Sequence, residues 1–321
     1  MGRSVDERIF IEVLRRYQLK RSSVSLISSS ESWVFQIASN PSSYILRLTP
    51  SSHRPYEMIR AEIDWINYLY SHGLRVARAI RFRGRELVEM VVADDTYVSA
   101  VVFEKAKGYT PGYTDLDSDL IREWGNVVGR MHALARNYRP KDPIYSRAHW
   151  DQDDKFDIRR YIPRSQTTVF ERFDALVTRL RKLPRDSMSY GLIHADLNPD
   201  NFFVNEQGQI TVFDFDDCLY SWFLYDITAI VFAMVENSRR VKCREQFVYD
   251  FLSAFCDGYS KANSVEDLTW NAWFDLLKLQ EFERYITIHR LPELRRCDPS
   301  EYERLRYNIE NDIPYLDVRF M

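Results

Sequence analysis

The stretches YGLIHADLNPDN (residues 190–201) and ITVFDFDD (residues 210–217) decide the fold of this chain. The first predicts a turn that ends at Asn201, and the second predicts a short strand that ends on the carboxylate of Asp214. Gln207-Gly208 turns the chain between them. Two hard oxygen ligands are therefore expected on either side of a hairpin-like return. Because Mg²⁺ prefers one or two protein ligands completed by phosphate oxygens, the pair predicts a magnesium and nucleotide site.

Asp196 stands five residues before Asn201 and is expected to have a chemical role. A carboxylate at this spacing from a metal-binding amide can point at the hydroxyl whose oxygen attacks phosphorus, orient it and accept its proton. We therefore predict that Asp196 is a catalytic base. The alternative is that the two stretches form a solvated acidic turn after a core strand.

The pattern H-x-D-x-x-x-x-N, followed by an apolar strand and Asp, resembles the catalytic segment of the protein-kinase-like phosphotransferases. Protein kinases have H-R-D and D-F-G, whereas this chain has Ala195 in place of Arg and FDD after Asp214. These departures resemble the aminoglycoside phosphotransferase family, whose relatives include choline kinases, type II homoserine kinases and a bacterial stress-response kinase group. The resemblance implies that Asp196 is the base and that Asn201 and Asp214 bind metal. His194 is expected to brace the loop.

The resemblance implies an α+β, bilobal protein-kinase-like fold. A small antiparallel-sheet N-lobe is expected over residues 1–107, and a larger, mainly helical C-lobe over residues 108–321. The first lobe would cover the nucleotide, and the second would carry the catalytic loop, the metal site and a helical acceptor-binding region. A length of 321 residues, 45% of them hydrophobic, is enough for two lobes with a sizeable core. ATP and Mg²⁺ are the implied cofactors.

Arg47 and Glu62 are predicted to pair beside the nucleotide. Residues 33–38 and 44–49 alternate as a β-hairpin, which places Arg47 among apolar neighbours. Glu62 lies in an apolar stripe of a predicted helix over residues 55–73 and needs a cation. In the resembling family a lysine or arginine of the third strand contacts the phosphates and is held by a glutamate of the next helix. The alternative is two surface charges that do not meet.

Two further segments are expected to touch the nucleotide. Protein kinases cover the phosphates with a glycine-rich turn, whereas residues 27–32 read ISSSES and contain no glycine. Ser29 and Ser30 can offer hydroxyl and backbone N–H groups, but not the close approach that glycine allows. The second segment is the linker formed by Phe103, Glu104, Lys105 and Ala106. In the resembling family this linker hydrogen-bonds adenine through its backbone.

Several other features leave alternatives open. The acidic run over residues 151–157 could gather a cationic acceptor such as an aminosugar, but a solvated loop is the favoured interpretation. His132 is interpreted as a packed or surface histidine, whereas the resemblance implies that Asp226 braces the catalytic loop. In the resembling family the carboxyl-terminal helices wall the acceptor pocket, although an aromatic stripe is by default part of a core. The aromatic residues in question are Trp270, Trp273, Phe274, Phe282, Tyr285 and His289.

Composition excludes several classes of protein. A formal net charge of −3 argues against a general nucleic-acid partner. The four cysteines contain no C-x-x-C pair, so we expect reduced thiols in a cytoplasmic protein. The amino end has no apolar signal region, and no window of eighteen apolar residues exists, so no membrane partner is expected. The oligomeric state is unknown from the sequence.

Together these features predict an ATP- and Mg²⁺-dependent phosphotransferase that moves the γ-phosphoryl group to a hydroxyl of a small molecule, as aminoglycoside, choline and homoserine kinases do. A protein Ser/Thr kinase of the bacterial stress-response type and a non-catalytic nucleotide-binding regulator are the alternatives. No recognisable activation segment follows Asp214, which disfavours the first. The intact Asp196 and Asn201 disfavour the second. The sequence does not identify the acceptor, nor does it choose between ATP and GTP.

Overall fold

The computed structural model describes residues 5–39, 42–93, 96–114, 116–237 and 243–318, and the chain divides into two compact units. The first unit contains the chain up to residue 109, together with residues 138–147 and 203–216. The second contains residues 110–137, 148–202 and 217–321. These units differ from the predicted lobes because two later segments, one of which carries Asp214, pack with the first unit. The division into lobes at residue 107 stays a prediction.

The first unit is built on a five-stranded antiparallel sheet with the strand order β1-β2-β3-β5-β4. Its strands are β1 (Val24–Ser29), β2 (Trp33–Ser39), β3 (Ser42–Pro50), β4 (Glu89–Ala93) and β5 (Thr96–Glu104). The predicted hairpin of β2 and β3 is confirmed, with Arg47 opposite Val34 on β2 and Val101 on β5. The sequence predicts a turn over residues 40–43, of which residues 40 and 41 lie outside the described residues while Ser42 and Ser43 belong to β3. The turn that it predicts at residues 94–95 also lies outside the described residues.

Two helices of the first unit, α1 (Glu7–Arg16) and α2 (Tyr56–Ser71), are each amphipathic. The buried face of α1 packs with Leu46 and Leu48 in one apolar cluster. Because strand residues alternate between the two faces of a sheet, Arg47 points to the opposite face, where it meets Glu62 on α2. Two short strands, β7 (Phe202–Val204) and β8 (Ile210–Val212), pair with each other.

The second unit is mainly helical. Its helices are α3 (Ser118–Ala135), α4 (Ile158–Tyr161), α5 (Thr167–Leu180), α6 (Phe223–Asn237), α7 (Arg244–Tyr259), α8 (Trp273–Arg290), α9 (Pro292–Cys297) and α10 (Pro299–Glu310). Two strands, β6 (Tyr190–Ile193) and β9 (Leu219–Trp222), form an antiparallel pair. Helices α3 and α7 approach so closely that a Cβ on Gly125 would lie 2.0 Å from the carbonyl oxygen of Phe255.

The α+β class, with an amino-terminal antiparallel sheet and a helical carboxyl-terminal part, is confirmed. The catalytic stretch of the sequence spans the end of β6, a 3₁₀ turn over Pro199–Asn201, and strands β7 and β8. Among the described helices, none is long and apolar enough to cross a membrane.

Candidate active site

Arg47 and Glu62 form a buried ion pair in the first unit. Nη2 of Arg47 donates to Oε2 of Glu62 at 2.6 Å, and the two side chains are 7% and 0% exposed. The predicted contact is therefore confirmed, and the surface-charge alternative is wrong. The guanidinium also lies over the ring of Phe103, 5.2 Å from its centroid. The role of the pair in holding phosphates stays a prediction.

The surroundings of Arg47 are strongly acidic. Burial lowers the pKa of its guanidinium, but the charge and hydrogen bond of Glu62 and the carboxylates of Asp216 and Asp214 leave that pKa above its ordinary value. Arg47 is therefore a permanent cation. Nε of Arg47, Oε1 of Glu62 and Oδ1 of Asp216 are buried without a hydrogen-bond partner among the described residues. Such polar atoms are completed by water or by a bound polar ligand.

Asp214 follows β8 and presents a half-exposed carboxylate in the first unit. Its φ of 62° lies in the left-handed region, which a residue with a Cβ rarely adopts. Oδ1 of Asp214 lies 4.0 Å from Nη1 of Arg47. The preceding residue, Phe213, packs on Phe203 with ring centroids 4.8 Å apart. A strained backbone held by its neighbours is a common feature of functional positions.

The predicted phosphate-covering stretch is the tip of a β-hairpin in the first unit. Ser29 is the last residue of β1 and pairs with Trp33 of β2, so it is not part of a loop as expected. Ser30 lies in the short turn that joins the two strands. The sequence missed β1 because its outward residues, including Leu26 and Ile27, are exposed and give no clear alternation.

The predicted adenine-binding linker begins inside β5. Phe103 and Glu104 end this strand, and Lys105 and Ala106 follow it. The carboxylate of Glu104 accepts from Nη2 of Arg78 at 2.6 Å, and its backbone N–H donates to the carbonyl oxygen of Arg78. Binding of adenine by this backbone stays a prediction.

In the second unit, Asp196 and Asn201 are in direct contact. Nδ2 of Asn201 donates to Oδ2 of Asp196 at 2.8 Å and to its carbonyl oxygen at 2.7 Å. Asn198, which the sequence did not single out, donates to Oδ1 of Asp196 at 2.9 Å. Both carboxylate oxygens of Asp196 thus accept from side-chain amides, which fix the orientation of the carboxylate. The amide oxygen of Asn201 is the atom with which Asn201 can bind a metal ion. Because Asn201 and Asp214 lie in different units, their sharing of one metal ion stays a prediction.

A buried carboxylate holds the backbone of the catalytic loop. Asp226, at the start of α6, accepts from the N–H of Ala195 at 2.6 Å and from that of His194 at 3.1 Å. The expectation that Asp226 braces this loop is confirmed. Ala195 has a φ of 67°, so the brace holds a conformation that alanine rarely adopts. His194 contributes Nδ1, which accepts from the N–H of Asp196 at 3.3 Å.

His132 belongs to the same network, a role that the sequence did not reveal. It is fully buried on α3, and its Nε2 donates to Oδ2 of Asp226 at 3.0 Å. Its Nδ1 accepts from the hydroxyl of Tyr259 at 3.1 Å, which in turn accepts from Asn263. Burial raises the pKa of Asp226, but the hydrogen bonds from His132 and from the N–H of Ala195 outweigh it and leave that pKa below its ordinary value. Asp226 is therefore an anion.

The acidic run over residues 151–157 is only in part the solvated loop of the favoured interpretation, because Asp154 and Asp157 are exposed but Asp153 is buried. Asp151 accepts from Arg181 and Arg185, and Asp153 is buried and accepts from the N–H of Lys155. Lys155 is buried as well, with Nζ 2.9 Å from Oε1 of Glu283 on α8. Such distant partners leave no local signal in the sequence. Asp151 and Lys155 are thus paired within the second unit and give this part of the run a structural role.

The second unit contains a cavity of about 810 Å³ that Asp196 helps to line. Its lining includes Asp196, Glu236, Glu283, Arg284, Asp298, Glu301 and Arg304. Five carboxylates thus face two guanidinium groups, and the cavity is acidic. Lys155 holds Glu283 from outside the lining.

The aromatic residues of the carboxyl-terminal helices do not line this cavity. Trp273, Phe282 and Tyr285 are buried in the core, as the default interpretation held. The face of α8 that lines the cavity carries Gln280, Glu283, Arg284 and Thr287. That the carboxyl-terminal helices wall an acceptor pocket stays a prediction, and the sequence contained no signal for the polar residues of α8 that line this cavity.

Comparison with known proteins agrees with this geometry. The family model described as "Phosphotransferase enzyme family" matches residues 23–264. Amicoumacin kinase of Bacillus subtilis (strain 168) is 29% identical over 318 residues, which cover 96% of this chain and 93% of that protein. A solved structure, amicoumacin kinase hAmiN in complex with AMP-PNP, Ca²⁺ and Ami, has a TM-score of 0.91 at 31% identity, covering 98% of this chain and 96% of its own.

A more distant structure shares the fold. The microcompartment-associated aminopropanol kinase has a TM-score of 0.74 at 21% identity, and the match covers 95% of this chain and 94% of its own. At that identity the likeness concerns the fold alone.

Proposed function

This chain belongs to the phosphotransferase enzyme family, and we propose that it transfers the γ-phosphoryl group of ATP to a hydroxyl of an amine-bearing small molecule. The predicted class, a kinase that acts on the alcohol group of a small molecule, is confirmed. A protein Ser/Thr kinase and a non-catalytic regulator find no support in these matches. The finer choices of acceptor, metal and residue roles are proposals.

The acidic cavity that begins at Asp196 carries the proposal for the acceptor. An acceptor that fills about 810 Å³ places a hydroxyl at Asp196 while its remainder contacts α6, α8 and α10. Carboxylates in excess over guanidinium groups favour a ligand with a positive charge. Amicoumacin is the first acceptor to test, because amicoumacin kinases match nearly the whole chain at 29% and 31% identity.

The predicted base and the buried ion pair have different tasks in this reaction. Asp196 orients the acceptor hydroxyl and accepts its proton, and the amides of Asn198 and Asn201 hold its carboxylate in place. Arg47, fixed by Glu62, neutralises phosphate charge. Phosphoryl transfer needs little covalent work from the protein, so positioning and charge supply most of the effect.

Asn201 and Asp214 fit the chemistry of Mg²⁺. The side-chain N–H groups of Asn201 donate to Asp196, so its amide oxygen is the atom that can bind a metal ion. Asp214 supplies a half-exposed carboxylate. When bound, the cation would neutralise charge on the β- and γ-phosphates. The related structure of hAmiN contains AMP-PNP and Ca²⁺, which supports an adenine nucleotide and a divalent cation.

A phosphate-transfer screen tests the proposed function. Purified protein with ATP and Mg²⁺ is offered amicoumacin, aminoglycosides, choline, homoserine, short amino alcohols and a generic protein substrate. We expect transfer to an amine-bearing small molecule. Transfer to the protein substrate alone, or to neutral alcohols in preference to their amine-bearing analogues, would contradict the proposal.

The metal is tested separately with Asp214→Ala. Removing the charged ligand is expected to abolish the Mg²⁺-dependent rise in melting temperature that ATP produces. Stabilisation by ATP that survives both this substitution and chelation of the metal would show that the site is assigned wrongly.

A further inference from the structure

The tip of the β1–β2 hairpin is fastened to the strand end beside it. The hydroxyl of Ser32 donates to Oγ1 of Thr49 on β3 at 3.0 Å. Oε2 of Glu31 lies 4.0 Å from Nε2 of His53. A turn without glycine has fewer accessible backbone conformations than a glycine-rich one. The contacts of Ser32 and Glu31 restrict the conformation of this turn further.

His53 also binds the segment that follows Asp214. Its Nε2 donates to Oδ2 of Asp216 at 2.7 Å, and Nε of Arg54 approaches the same oxygen at 3.3 Å. The side chains of His53 and Asp216 are 14% and 16% exposed. Nη2 of Arg147 donates to the backbone carbonyl of Asp216 at 2.6 Å. Asp216 is thus held at both its carboxylate and its main chain, two residues beyond Asp214.

Asp216 occupies the position where protein kinases have the glycine of D-F-G. Burial raises the pKa of its carboxyl, but the hydrogen bond from His53 and the charges of Arg54 and Arg47 hold that pKa well below its ordinary value. A residue held at both its carboxylate and its main chain replaces glycine here, which favours one conformation of the neighbouring Asp214.

We propose that His53 is a positioning residue that links Glu31 of the hairpin tip to Asp216, so that the phosphate-covering turn and Asp214 are held as one piece. This rests on the proposed function, in which Asp214 binds the cation that accompanies ATP. His53 contacts Asp216 and Glu31, and it acts on Asp214 by fixing the position of Asp216. Its expected effect is on the metal-dependent part of nucleotide binding.

The same three side chains also have the spacing of a metal site. One ligand atom each from Glu31, His53 and Asp216 lies within 4.8 Å of the others. A cation at this point would meet the guanidinium of Arg54, which already contacts Asp216, and the positive charge of Arg47. Like charges this close oppose a metal ion. The arrangement therefore favours a hydrogen-bonded linkage.

The test compares the dissociation constant of ATP in Mg²⁺ with that in chelator for each variant, without acceptor. In His53→Ala the gain in affinity that Mg²⁺ provides is expected to fall roughly tenfold, the size of a moderate coupling between contacting residues. His53→Gln keeps a donor for Asp216 and should recover part of the gain. The control is His72→Ala, because among the described residues the ring of His72 hydrogen-bonds only to its neighbours Tyr68 and Ser71.

Glu31→Gln is a milder variant that keeps the test valid if His53→Ala folds poorly. It is expected to reduce the Mg²⁺-dependent gain by roughly threefold in the wild-type background. It should have no further effect in the His53→Gln or His53→Ala background, because the contact between Glu31 and the imidazole of His53 is already absent there. An equal effect in both backgrounds would overturn the proposal.

The outcomes separate this proposal from the proposed function. A wild-type protein that does not bind ATP overturns both. If Mg²⁺ raises the ATP affinity of the wild type and of His53→Ala equally, the linkage alone is overturned. His53 then has a structural role at most, whether or not the variant melts at a lower temperature. A melting temperature that rises with Zn²⁺ alone, and loses that rise in His53→Gln, would identify a metal site and also overturn the linkage.

Discussion

The two units hold their buried carboxylates in different ways. In the first unit, Glu62 pairs with the side chain of Arg47, and Asp216 pairs with His53 and Arg54. In the second unit, Asp226 accepts from two backbone N–H groups of the catalytic loop. The first arrangement fixes the position of a charge, and the second fixes the conformation of a chain segment. Removing a carboxylate should therefore weaken ligand binding in the first unit and distort the loop in the second.

Asp196→Asn leaves both arrangements intact and is expected to have the largest effect on the reaction. Losing a general base lowers turnover by roughly a hundred- to ten-thousand-fold, and a loose phosphoryl-transfer transition state places the effect toward the lower end. The fold and the affinity for ATP should be preserved. Single-turnover transfer and a nucleotide titration on the same variant measure the two effects.

Asp200→Asn is the matched control, because Asp200 is a nearby carboxylate that accepts from Tyr113 and not from the amides around Asp196. Its turnover should stay close to that of the wild type. Near-normal turnover in Asp196→Asn would rule out Asp196 as the base and direct attention to Asp216 and Asp217.

Asp226→Asn breaks the arrangement in the second unit. The amide keeps the shape, but its NH₂ group cannot accept, so it opposes either a backbone N–H or the Nε2–H of His132. Leaving a buried donor without an acceptor costs about 1–3 kcal/mol of stability. Turnover should fall together with the free energy of unfolding, because the left-handed backbone at Ala195 loses its support. Denaturant unfolding and steady-state kinetics measure both.

A variant of Asp226 with normal turnover and lower stability would contradict this expectation. It would show that Asp226 stabilises the second unit without fixing the position of Asp196. The proposed difference between the two units, a fixed charge in the first and a fixed loop conformation in the second, would then be wrong.

The sequence predicted the first arrangement better than the second. Arg47 and Glu62 each stood in an apolar pattern of strand or helix period, and a buried charge needs a partner, so their pairing followed from local rules. The spacing of Asp196 and Asn201 predicted a role for each, but not the hydrogen bonds that join them. His132 had no such signal, because its partner on α6 lies far away along the chain.

Residues whose partners are distant in sequence account for most of the errors. Lys155 lies in an acidic run that looked solvated, and its burial depends on Glu283 of α8. The outward face of β1 is exposed, so Ser29 was assigned to a loop. The cavity beside Asp196 is formed by polar residues of three helices, and only their assembly in space makes them a site.

Glu62→Gln tests the first arrangement and is expected to have a smaller effect than the variants above. The amide can still accept from Arg47, but the ion pair is lost and the guanidinium is less firmly oriented. We expect ATP affinity to fall by roughly ten- to a hundredfold, equivalent to about 1.4–2.8 kcal/mol, with the catalytic loop unaffected. Isothermal titration with ATP and Mg²⁺ measures the change.

Glu57→Gln, an exposed glutamate in the first turn of the same helix, is the control and should bind ATP as the wild type does. If Glu62→Gln lowered turnover at saturating ATP as strongly as Asp226→Asn does, the first arrangement would also control the catalytic geometry.

Acid titration gives the smallest and most selective effect. The pKa of Asp226 is below its ordinary value of 3.8 in the folded protein, mainly through His132, which outweighs the opposing effect of burial. A depressed carboxyl pKa stabilises the fold at pH values above the unfolded pKa, and this stabilisation is lost as the pH falls through the folded pKa. The difference in unfolding free energy between wild type and Asp226→Asn should therefore be constant above about pH 5 and shrink below about pH 4. Glu62→Gln provides the comparison under the same conditions. If the gap between wild type and Asp226→Asn were equally wide at pH 3 and pH 6, the charge of Asp226 would not be what holds the backbone at residues 194 and 195, and the shape of the side chain alone would account for the brace.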